Sequence, residues 1–391
     1  MLCRAIAAAL IALVLAATAG PAAAKTCGKD WRQGPAGVFF NDPAVFPLGV
    51  WLQAPKRAAA YRAAGINLYV GQWKGPTTGQ LEALHAAGMP VIAEPTPAAR
   101  DPAFADTVVG WLLPDEPDNA QRKASGKGIG PPMSTGEVMR RYCEAAAIEP
   151  ARPVHLQLGM GVAWDAWKGR GVRTGHLEDY PPYVAASDIV SFDIYPVTSA
   201  RPGLTGRIEL IGQGVSRLAG WATHGQRVWA MIGVSRIANA AVQPSPEQIR
   251  SQIWMALVHG AQGLIYFVHQ FKPTFQEDAL LGAPEALAAV TAENARIQRL
   301  APVLNAPSLP AAVAVVDRGK AVALAKDFGP DRYVFVVSLT PSPQTVGLRL
   351  QAASGKATVI DEDRALAIKG GRLSDTFAGY GVHLYRFRRG D

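Results

Sequence analysis

The acidic run Asp115-Glu116-Pro117-Asp118 is the part of the sequence best suited to acid–base chemistry. A glutamic acid can give its proton to a departing oxygen atom and later accept one from water. Neighbouring carboxylates would favour retention of a proton within such a cluster, because like charges repel. Glu116 is therefore the candidate proton donor, with Asp115 as a substrate contact. The structural alternative is that Glu116 begins a helix, where a carboxylate complements the helix dipole.

A second carboxylate would complete an acid–base pair, and the sequence offers two candidates. Asp193 stands two residues before Tyr195, and Glu94 ends the apolar run that begins at Pro90. Asp193 is the leading candidate for a second catalytic residue, followed by Glu94. A purely structural role stays open for both, since Asp193 could instead orient Tyr195 or a loop amide.

Aromatic and amide side chains stand at the ends of several other apolar runs. Tryptophans beside amides and carboxylates suit sugars, which present both apolar C–H faces and hydroxyl groups. The predicted substrate contacts of this kind are Trp51, Gln53, Gln72, Trp73, Gln157, Tyr195, His269 and Gln270. The tryptophans could instead pack beneath loops, and His269 could be a core residue. Trp164 and Trp167 could border an extended cleft.

Eight short apolar runs alternate with amphipathic stretches between residues 46 and 300, which predicts a parallel sheet with crossover helices. Eight such units close a (β/α)₈ (TIM) barrel. An open doubly wound sheet is disfavoured, because no glycine-rich phosphate turn follows the first strand. A barrel site lies at the C-terminal ends of its strands, so the residues above should meet at one face. The strands are predicted at 46–53, 66–73, 90–94, 108–113, 154–160, 189–195, 227–234 and 264–269.

Beyond Ala301 the sequence changes character, and strand-like runs follow one another with short turns. This pattern favours a small C-terminal antiparallel β-sandwich. No tryptophan follows Trp254, so a structural cap is favoured over a carbohydrate-binding module. The predicted divisions are 1–24, a signal peptide, 25–303, the barrel, and 304–391, the sandwich. The sandwich strands are predicted at 311–316, 321–324, 333–339, 346–350, 357–360 and 381–387.

The first 24 residues have the pattern of a cleavable export signal: a basic Arg4, an apolar run over 5–17 and an Ala-Ala-Ala site at 22–24. The apolar run is shorter than the roughly 20 residues that a membrane span needs. We therefore expect a periplasmic or extracellular protein without stable membrane insertion. Cys27 and Cys143 could form a disulfide in an oxidising compartment or stay unpaired.

The charge pattern limits the partners that we expect. The formal net charge is +8, but no basic helix with interleaved aromatic residues indicates nucleic acid. Two cysteines without clustered histidines do not make a zinc site, so we expect neither a metal nor another cofactor. The expected partner is a carbohydrate, and the sequence leaves the oligomeric state open.

Three short motifs resemble the clan of retaining glycoside hydrolases built on (β/α)₈ barrels. They are GWLLPDEP at 110–117, FDIYP at 192–196 and QGLIY at 262–266. In that clan the fourth strand ends in Asn-Glu-Pro, or Asp-Glu-Pro in some branches, and the Glu is the general acid/base. The resemblance covers residues 46–300. It implies an enzyme that cleaves O-glycosidic bonds of a poly- or oligosaccharide, with Glu116 as acid/base.

One departure from the clan concerns the nucleophile, a Glu that its members carry at the end of strand seven. Here that strand reads VWAMIGVS over 228–235 and has no carboxylate. Asp193 or Glu94 would have to supply the second carboxylate. A separation of about 5–5.5 Å between the two carboxyls implies retention, and roughly 6.5–9.5 Å implies inversion. The competing hypothesis is a noncatalytic glycan-binding protein on a degenerate barrel.

Overall fold

The computed structural model describes residues 27, 31–123, 125–149, 151–317 and 319–389. The predicted export signal at 1–24 lies outside the described residues. In the part of the chain that is described, no helix combines the length and the apolar character needed to cross a bilayer.

Eight parallel strands close a barrel, which confirms the predicted fold class. Each strand pairs with its neighbour in sequence, and the eighth pairs with the first. Trp229 interrupts the seventh strand, so its first part pairs with the sixth strand and its second part with the eighth. The strands are β1 (Leu48–Gln53), β2 (Leu68–Gln72), β3 (Val91–Ala93), β4 (Val108–Leu112), β5 (Val154–Leu158), β6 (Ile189–Phe192), β7 (Arg227–Val228 and Ala230–Gly233) and β8 (Leu264–Phe267).

Helices cover the outside of the barrel between most pairs of strands. Ser134 and Ser245 accept hydrogen bonds from backbone N–H groups in the first turns of two of them, as expected for N-caps. Two 3₁₀ turns, Ala98–Arg100 and Pro102–Phe104, connect β3 to β4. The helices are α1 (Pro35–Asn41), α2 (Ala58–Ala63), α3 (Thr78–Ala86), α4 (Thr135–Ile148), α5 (Tyr180–Ala185), α6 (Glu209–Trp221), α7 (Pro246–Val258), α8 (Pro284–Arg299) and α9 (Ala301–Leu304).

Helix α1 closes the N-terminal end of the barrel, a feature that the sequence did not predict. The ring centroid of Phe40 lies 5.7 Å from that of Trp31 and 6.0 Å from that of Trp229, inside the barrel. The guanidinium of Arg227 lies over the Trp31 ring and donates to the Phe40 carbonyl. With this end filled by aromatic side chains, the opposite end is left for a cleft.

The C-terminal domain is a sandwich of two antiparallel sheets. One sheet has the order β9-β12-β15 and the other β10-β11-β16-β13-β14. Two of these strands, β14 and β15, were not predicted; in β15, Ser374 and Asp375 interrupt the apolar pattern. Arg364 on β14 forms an ion pair with Asp375 on β15 at 2.8 Å. The strands are β9 (Val313–Val316), β10 (Ala321–Phe328), β11 (Asp331–Ser338), β12 (Gln344–Leu350), β13 (Gly355–Val359), β14 (Arg364–Ile368), β15 (Arg372–Phe377) and β16 (Val382–Arg388).

The sandwich packs on α7 and α8 at the side of the barrel. Phe335 on β11 contacts Trp254 on α7 with 5.6 Å between ring centroids. The Ser251 hydroxyl donates to the Tyr380 carbonyl at 2.7 Å, and Arg296 on α8 forms an ion pair with Asp361. The aromatic contact joins the hydrophobic core of the sandwich to that of the barrel, and the ion pair adds a polar contact between the two domains.

Cys27 and Cys143 form a disulfide, with 5.3 Å between their Cα atoms. The sequence had left this pairing open. The bond joins the segment before α1 to α4 and spans 116 residues of sequence.

Candidate functional site

A cleft of about 420 Å³ lies at the C-terminal ends of the barrel strands, where the sequence analysis placed the site. It brings together eight of the predicted site residues, from strands that are far apart in sequence. Those eight are Trp51, Trp73, Asp115, Glu116, Gln157, Asp193, Tyr195 and His269.

Glu116 follows β4 and has a backbone φ of +43°, in the left-handed region that non-glycine residues rarely adopt. Its N–H donates to the Gln157 carbonyl at 3.1 Å, and its carbonyl accepts from the N–H of Asn119 at 3.0 Å. These bonds hold the strained residue in place. Its carboxyl rests against Gly159, where an added Cβ would lie 2.9 Å from Oε1. The backbone on both sides thus determines where this carboxyl sits.

Asp193 follows β6, and its carboxyl lies close enough to that of Glu116 for the two groups to interact electrostatically. Oδ1 of Asp193 has no hydrogen-bond partner among the described residues. The Asp193 side chain is buried, and its N–H donates to the Leu158 carbonyl at 3.1 Å. Burial and the charge of Glu116 raise the pKa of Asp193 well above its usual range, and Tyr195 opposes this. Burial and the neighbouring Glu116 therefore favour the protonated form of Asp193.

Two further aspartates surround the pair. Asp115 is open to solvent along the cleft, but partial desolvation and the charges of Glu116 and Asp118 raise its pKa to about 8. Asp118 is fully buried beneath the pair, and desolvation raises its pKa to about 6 against the opposing bond from Gly159. Four carboxyls from β4 and β6 thus share one region, which favours the uncharged forms of the three aspartates.

Asp118 anchors the loop that carries Glu116. Its carboxyl accepts from the Gly159 N–H at 2.9 Å and from the Tyr180 hydroxyl at 3.1 Å. Buried Arg170 donates to the Asp118 carbonyl at 3.2 Å and forms an ion pair with Asp179. Asp118 therefore has a positioning role, and its burial was not predicted because it lies in an acidic run.

Aromatic side chains line the wall formed by β1, β2 and β8. Trp51 is buried, whereas Trp73 is half-buried at the mouth of the cleft. The Trp73 ring stacks on Phe275 with 5.3 Å between centroids and meets His269 at 5.4 Å. Phe271 and Phe275 are each nearly half exposed. They extend the aromatic surface outward, and the sequence analysis missed both because they lie in the loop after β8.

His269 and Gln157 are both buried and already hydrogen-bonded. Nε2 of His269 lies 3.2 Å from the Leu52 carbonyl, and desolvation lowers the pKa of His269. Gln157 accepts a hydrogen bond from Ser191 and donates to the Leu158 carbonyl at 3.1 Å. A neutral histidine and a hydrogen-bonded amide can both contact a substrate, but neither brings a charge into the cleft.

Gln53 and Gln72 do not line the cleft, because residues with positive φ break the strand alternation before each of them. These are Leu52 at +45° and Gly71 at +70°. The Gln53 amide turns away from the cleft, accepts from the Tyr61 hydroxyl at 2.6 Å and donates to the Glu277 carbonyl at 2.9 Å. Gln72 is buried, and its amide has no hydrogen-bond partner among the described residues.

Glu94 and Gln270 also lie outside the cleft. Glu94 is exposed beside a separate cavity of about 900 Å³, which it shares with Asp115, Arg141 and Glu144. Gln270 donates to the Thr274 carbonyl at 3.4 Å within its own loop. Because β3 ends at Ala93, Glu94 turns outward before it can reach Glu116.

Among the described residues that line the cleft, Arg201 is the one cation, and it was not predicted because it lies in a loop well beyond β6. Its guanidinium lies 4.9 Å from the centre of the Trp167 ring, and Trp167 itself donates to the Asn119 side chain at 2.8 Å. Trp167 does border the cleft, while Trp164 does not line it. Within the described part of the chain, no group of three or more histidines, cysteines and acids is arranged to hold a metal ion.

The fold resembles several solved structures of carbohydrate-active proteins. A variant of AmyP in complex with maltotriose has a TM-score of 0.56 at 10% identity, over 91% of this chain and 99% of that chain. A putative alpha-galactosidase/melibiase from Bacteroides fragilis has a TM-score of 0.54 at 11% identity, over 88% of this chain and 79% of that one. The alpha-amylase of Geobacillus thermoleovorans, complexed with acarbose, has a TM-score of 0.52 at 10% identity, over 88% and 98%.

No protein-family profile matches the chain, and no curated protein matches it in sequence. At identities near 10%, the structural likeness concerns architecture. The chain is thus a divergent protein with the same fold as these amylase and galactosidase barrels.

Proposed function

We propose that this protein is an exported glycoside hydrolase that cleaves O-glycosidic bonds of a poly- or oligosaccharide, with Glu116 as general acid/base. The observation that carries the proposal is the position of Glu116 beside the buried carboxyl of Asp193 in an aromatic-lined cleft. The oxygen of an ordinary glycosidic bond leaves readily when an acid protonates it, and a carboxylic acid in this position can supply that proton.

The strain and burial of the acidic cluster support catalysis over simple binding. A non-glycine residue in the left-handed region costs about 1–3 kcal/mol, as for Glu116 at φ +43°. Burial of the carboxyl of Asp193 adds a desolvation penalty at the same place. A noncatalytic glycan-binding protein would gain little from either feature, because neutral amides and hydroxyls satisfy sugar hydroxyls without strain.

The aromatic wall supports a carbohydrate as the substrate. Trp51 and Trp73 line the cleft, and Phe271 and Phe275 continue this aromatic surface beyond the mouth. A surface longer than one sugar ring suits an oligosaccharide or polysaccharide. Arg201 and Asp115 would supply polar contacts to hydroxyl groups.

Export of the protein is supported by two features. The sequence begins with the pattern of a signal peptide, and the disulfide between Cys27 and Cys143 suits an oxidising compartment such as the periplasm or the extracellular space.

The test measures the release of reducing ends from a broad panel of glycans by the wild-type protein and by the variant Glu116→Gln. Glutamine keeps the shape of Glu116 but has no acidic proton, so turnover should disappear while glycan binding persists. Glu94→Gln is the matched control, because Glu94 lies outside the cleft, and it should keep wild-type activity. A wild-type protein that binds glycans and releases no reducing ends would support the glycan-binding alternative instead.

A further inference from the structure

The cleft contains no carboxylate on the wall that faces Glu116. Among the described residues that line it, the acids are Asp115, Glu116 and Asp193, all at the ends of β4 and β6. The facing wall, from β7, β8 and β1, presents apolar or aromatic side chains such as Met231, Phe267 and Trp51. One wall of the cleft is therefore acidic, and the facing wall is apolar.

A double displacement through an enzyme carboxylate needs a nucleophile about 5–5.5 Å from the acid. Asp193 does not meet that need, because it lies with Glu116 on the acidic side of the cleft, close enough for the charge of Glu116 to raise the pKa of Asp193. Asp115 adjoins Glu116 in the chain and lies on the same wall. Neither aspartate can attack the face of the sugar opposite to Glu116.

We infer that the substrate supplies its own nucleophile, so that the cleft takes a 1,2-trans glycoside of an N-acetylated amino sugar. This inference rests on the proposed hydrolase function and specifies its substrate class. The 2-acetamido oxygen reaches C1 only from the face opposite to the leaving group, so the 1,2-trans arrangement is required. Some glycosidases dispense with an enzyme nucleophile in this way.

The bottom of the cleft offers a polar contact for the N–H of an acetamido group and an apolar surface for its methyl group. The carboxylate of Asp193 can accept the amide N–H, which increases the electron density on the amide oxygen. The methyl group needs an apolar surface, and buried Trp51, Met231 and Phe267 supply one. The Tyr195 hydroxyl donates to Sδ of Met231 at 3.1 Å, so it stands where the polar and apolar parts of the cleft meet.

The reaction balances with these groups alone. As the substrate binds, Asp193 passes its proton to Glu116, and the carboxylate of Asp193 accepts a hydrogen bond from the amide N–H. Glu116 gives its proton to the glycosidic oxygen, the bond from C1 to that oxygen breaks, and the amide oxygen forms a bond to C1. Water then attacks C1, and Glu116 takes a proton from that water. The bond between C1 and the amide oxygen breaks, which restores the acetamido group. The product sugar keeps the configuration of the substrate.

The test uses 4-nitrophenyl glycosides in matched pairs: N-acetyl-β-glucosaminides against β-glucosides, and an N-acetyl, N-difluoroacetyl and N-trifluoroacetyl series. Fluorine weakens the amide oxygen as a nucleophile, so kcat should fall by about 100-fold or more across the series. The β-glucosides should not be cleaved, and the product should retain its configuration. Cleavage of β-glucosides at similar rates, a flat fluorine series, or inversion would overturn the inference and leave the hydrolase proposal intact.

The variants Asp193→Asn and Asp193→Gly separate the two roles that Asp193 could have. For an amide-orienting residue, Asp193→Asn should lower kcat on the N-acetyl substrate by about 100-fold, and azide should not restore activity to Asp193→Gly. Formation of a glycosyl azide by Asp193→Gly would show instead that Asp193 is a nucleophile. Glu94→Gln is the control for both. If the wild-type protein cleaves neither these substrates nor any glycan of the panel, the hydrolase proposal itself fails.

Discussion

At the residue scale, the carboxyl of Glu116 rests against backbone that has no room for a side chain. A Cβ on Gly159 would lie 2.9 Å from Oε1 of Glu116 and 2.8 Å from Nδ2 of Asn119. The variant Gly159→Ala should therefore displace the acid and lower kcat by about 10- to 100-fold, because small misplacements of a catalytic group are costly. Steady-state kinetics on a cleavable glycan would measure this.

The control for that variant is Gly136→Ala, since a Cβ at Gly136 on α4 has no heavy atom within 4 Å. It should leave kcat unchanged. Equal activity of Gly159→Ala and the wild-type protein would mean that the backbone does not set the position of the Glu116 carboxyl.

Asp118 should make the stability of the protein depend on pH. Its pKa is about 6 in the folded state, against about 4 in an unfolded chain, so the folded state binds the proton more tightly. The stabilisation is fully present below pH 4 and is lost as the pH rises through 6, by up to about 3 kcal/mol. Urea unfolding at pH 4 and pH 7.5 should therefore show a smaller loss of stability for Asp118→Asn than for the wild-type protein.

Asp165→Asn is the control for that comparison, because Asp165 is an exposed carboxylate in an ion pair with Arg217. Between pH 4 and pH 7.5, Asp165→Asn should lose as much stability as the wild-type protein. If Asp118→Asn did so as well, burial of Asp118 would not be the cause of the pH dependence.

At the element scale, the sequence predicts the eight barrel strands and the end at which the site lies. Alternation along a strand then assigns Gln53 to the cleft, but the positive φ of Leu52 turns it away, as Gly71 does for Gln72. A leucine at position 52 gives no indication in the sequence that its φ is positive. Backbone turns of this kind therefore limit how many site residues could be predicted.

The contact between Glu116 and Asp193 could not be predicted either. The sequence places them at the ends of β4 and β6, with β5 between these strands. The position of the Glu116 carboxyl depends on the unusual φ of Glu116 and on the absence of a side chain at Gly159. Both causes lie in tertiary packing and not in local pattern.

The loop after β8 should contribute to the binding of long substrates. Phe275 is 47% exposed and stacks on Trp73, so it can pack against a sugar ring beyond the cleft. The variant Phe275→Ala should raise KM for longer oligosaccharides by about fivefold, equivalent to roughly 1 kcal/mol of aromatic contact, with little change for short ones. Phe328→Ala is the control, because Phe328 is 48% exposed on the sandwich domain. The same KM at every chain length would exclude a binding role for the loop.

At the scale of the whole molecule, the disulfide ties the N-terminal segment to α4 across 116 residues. Closing so long a loop restricts the unfolded chain, so Cys143→Ser should lower the free energy of unfolding by about 2–4 kcal/mol. Urea unfolding of the oxidised protein measures this difference. The double variant Cys27→Ser/Cys143→Ser should match the single variant, and an unchanged stability in either would contradict a stabilising role.

The central claim is that Glu116 donates the proton to the leaving oxygen, and leaving-group dependence tests it most directly. For Glu116→Ala, kcat should fall by about 1,000-fold on substrates whose leaving group needs protonation. It should change far less on 2,4-dinitrophenyl glycosides of the same sugar, whose leaving group departs without a proton. An equal loss of kcat on both kinds of substrate would contradict the assignment of Glu116 as the proton donor.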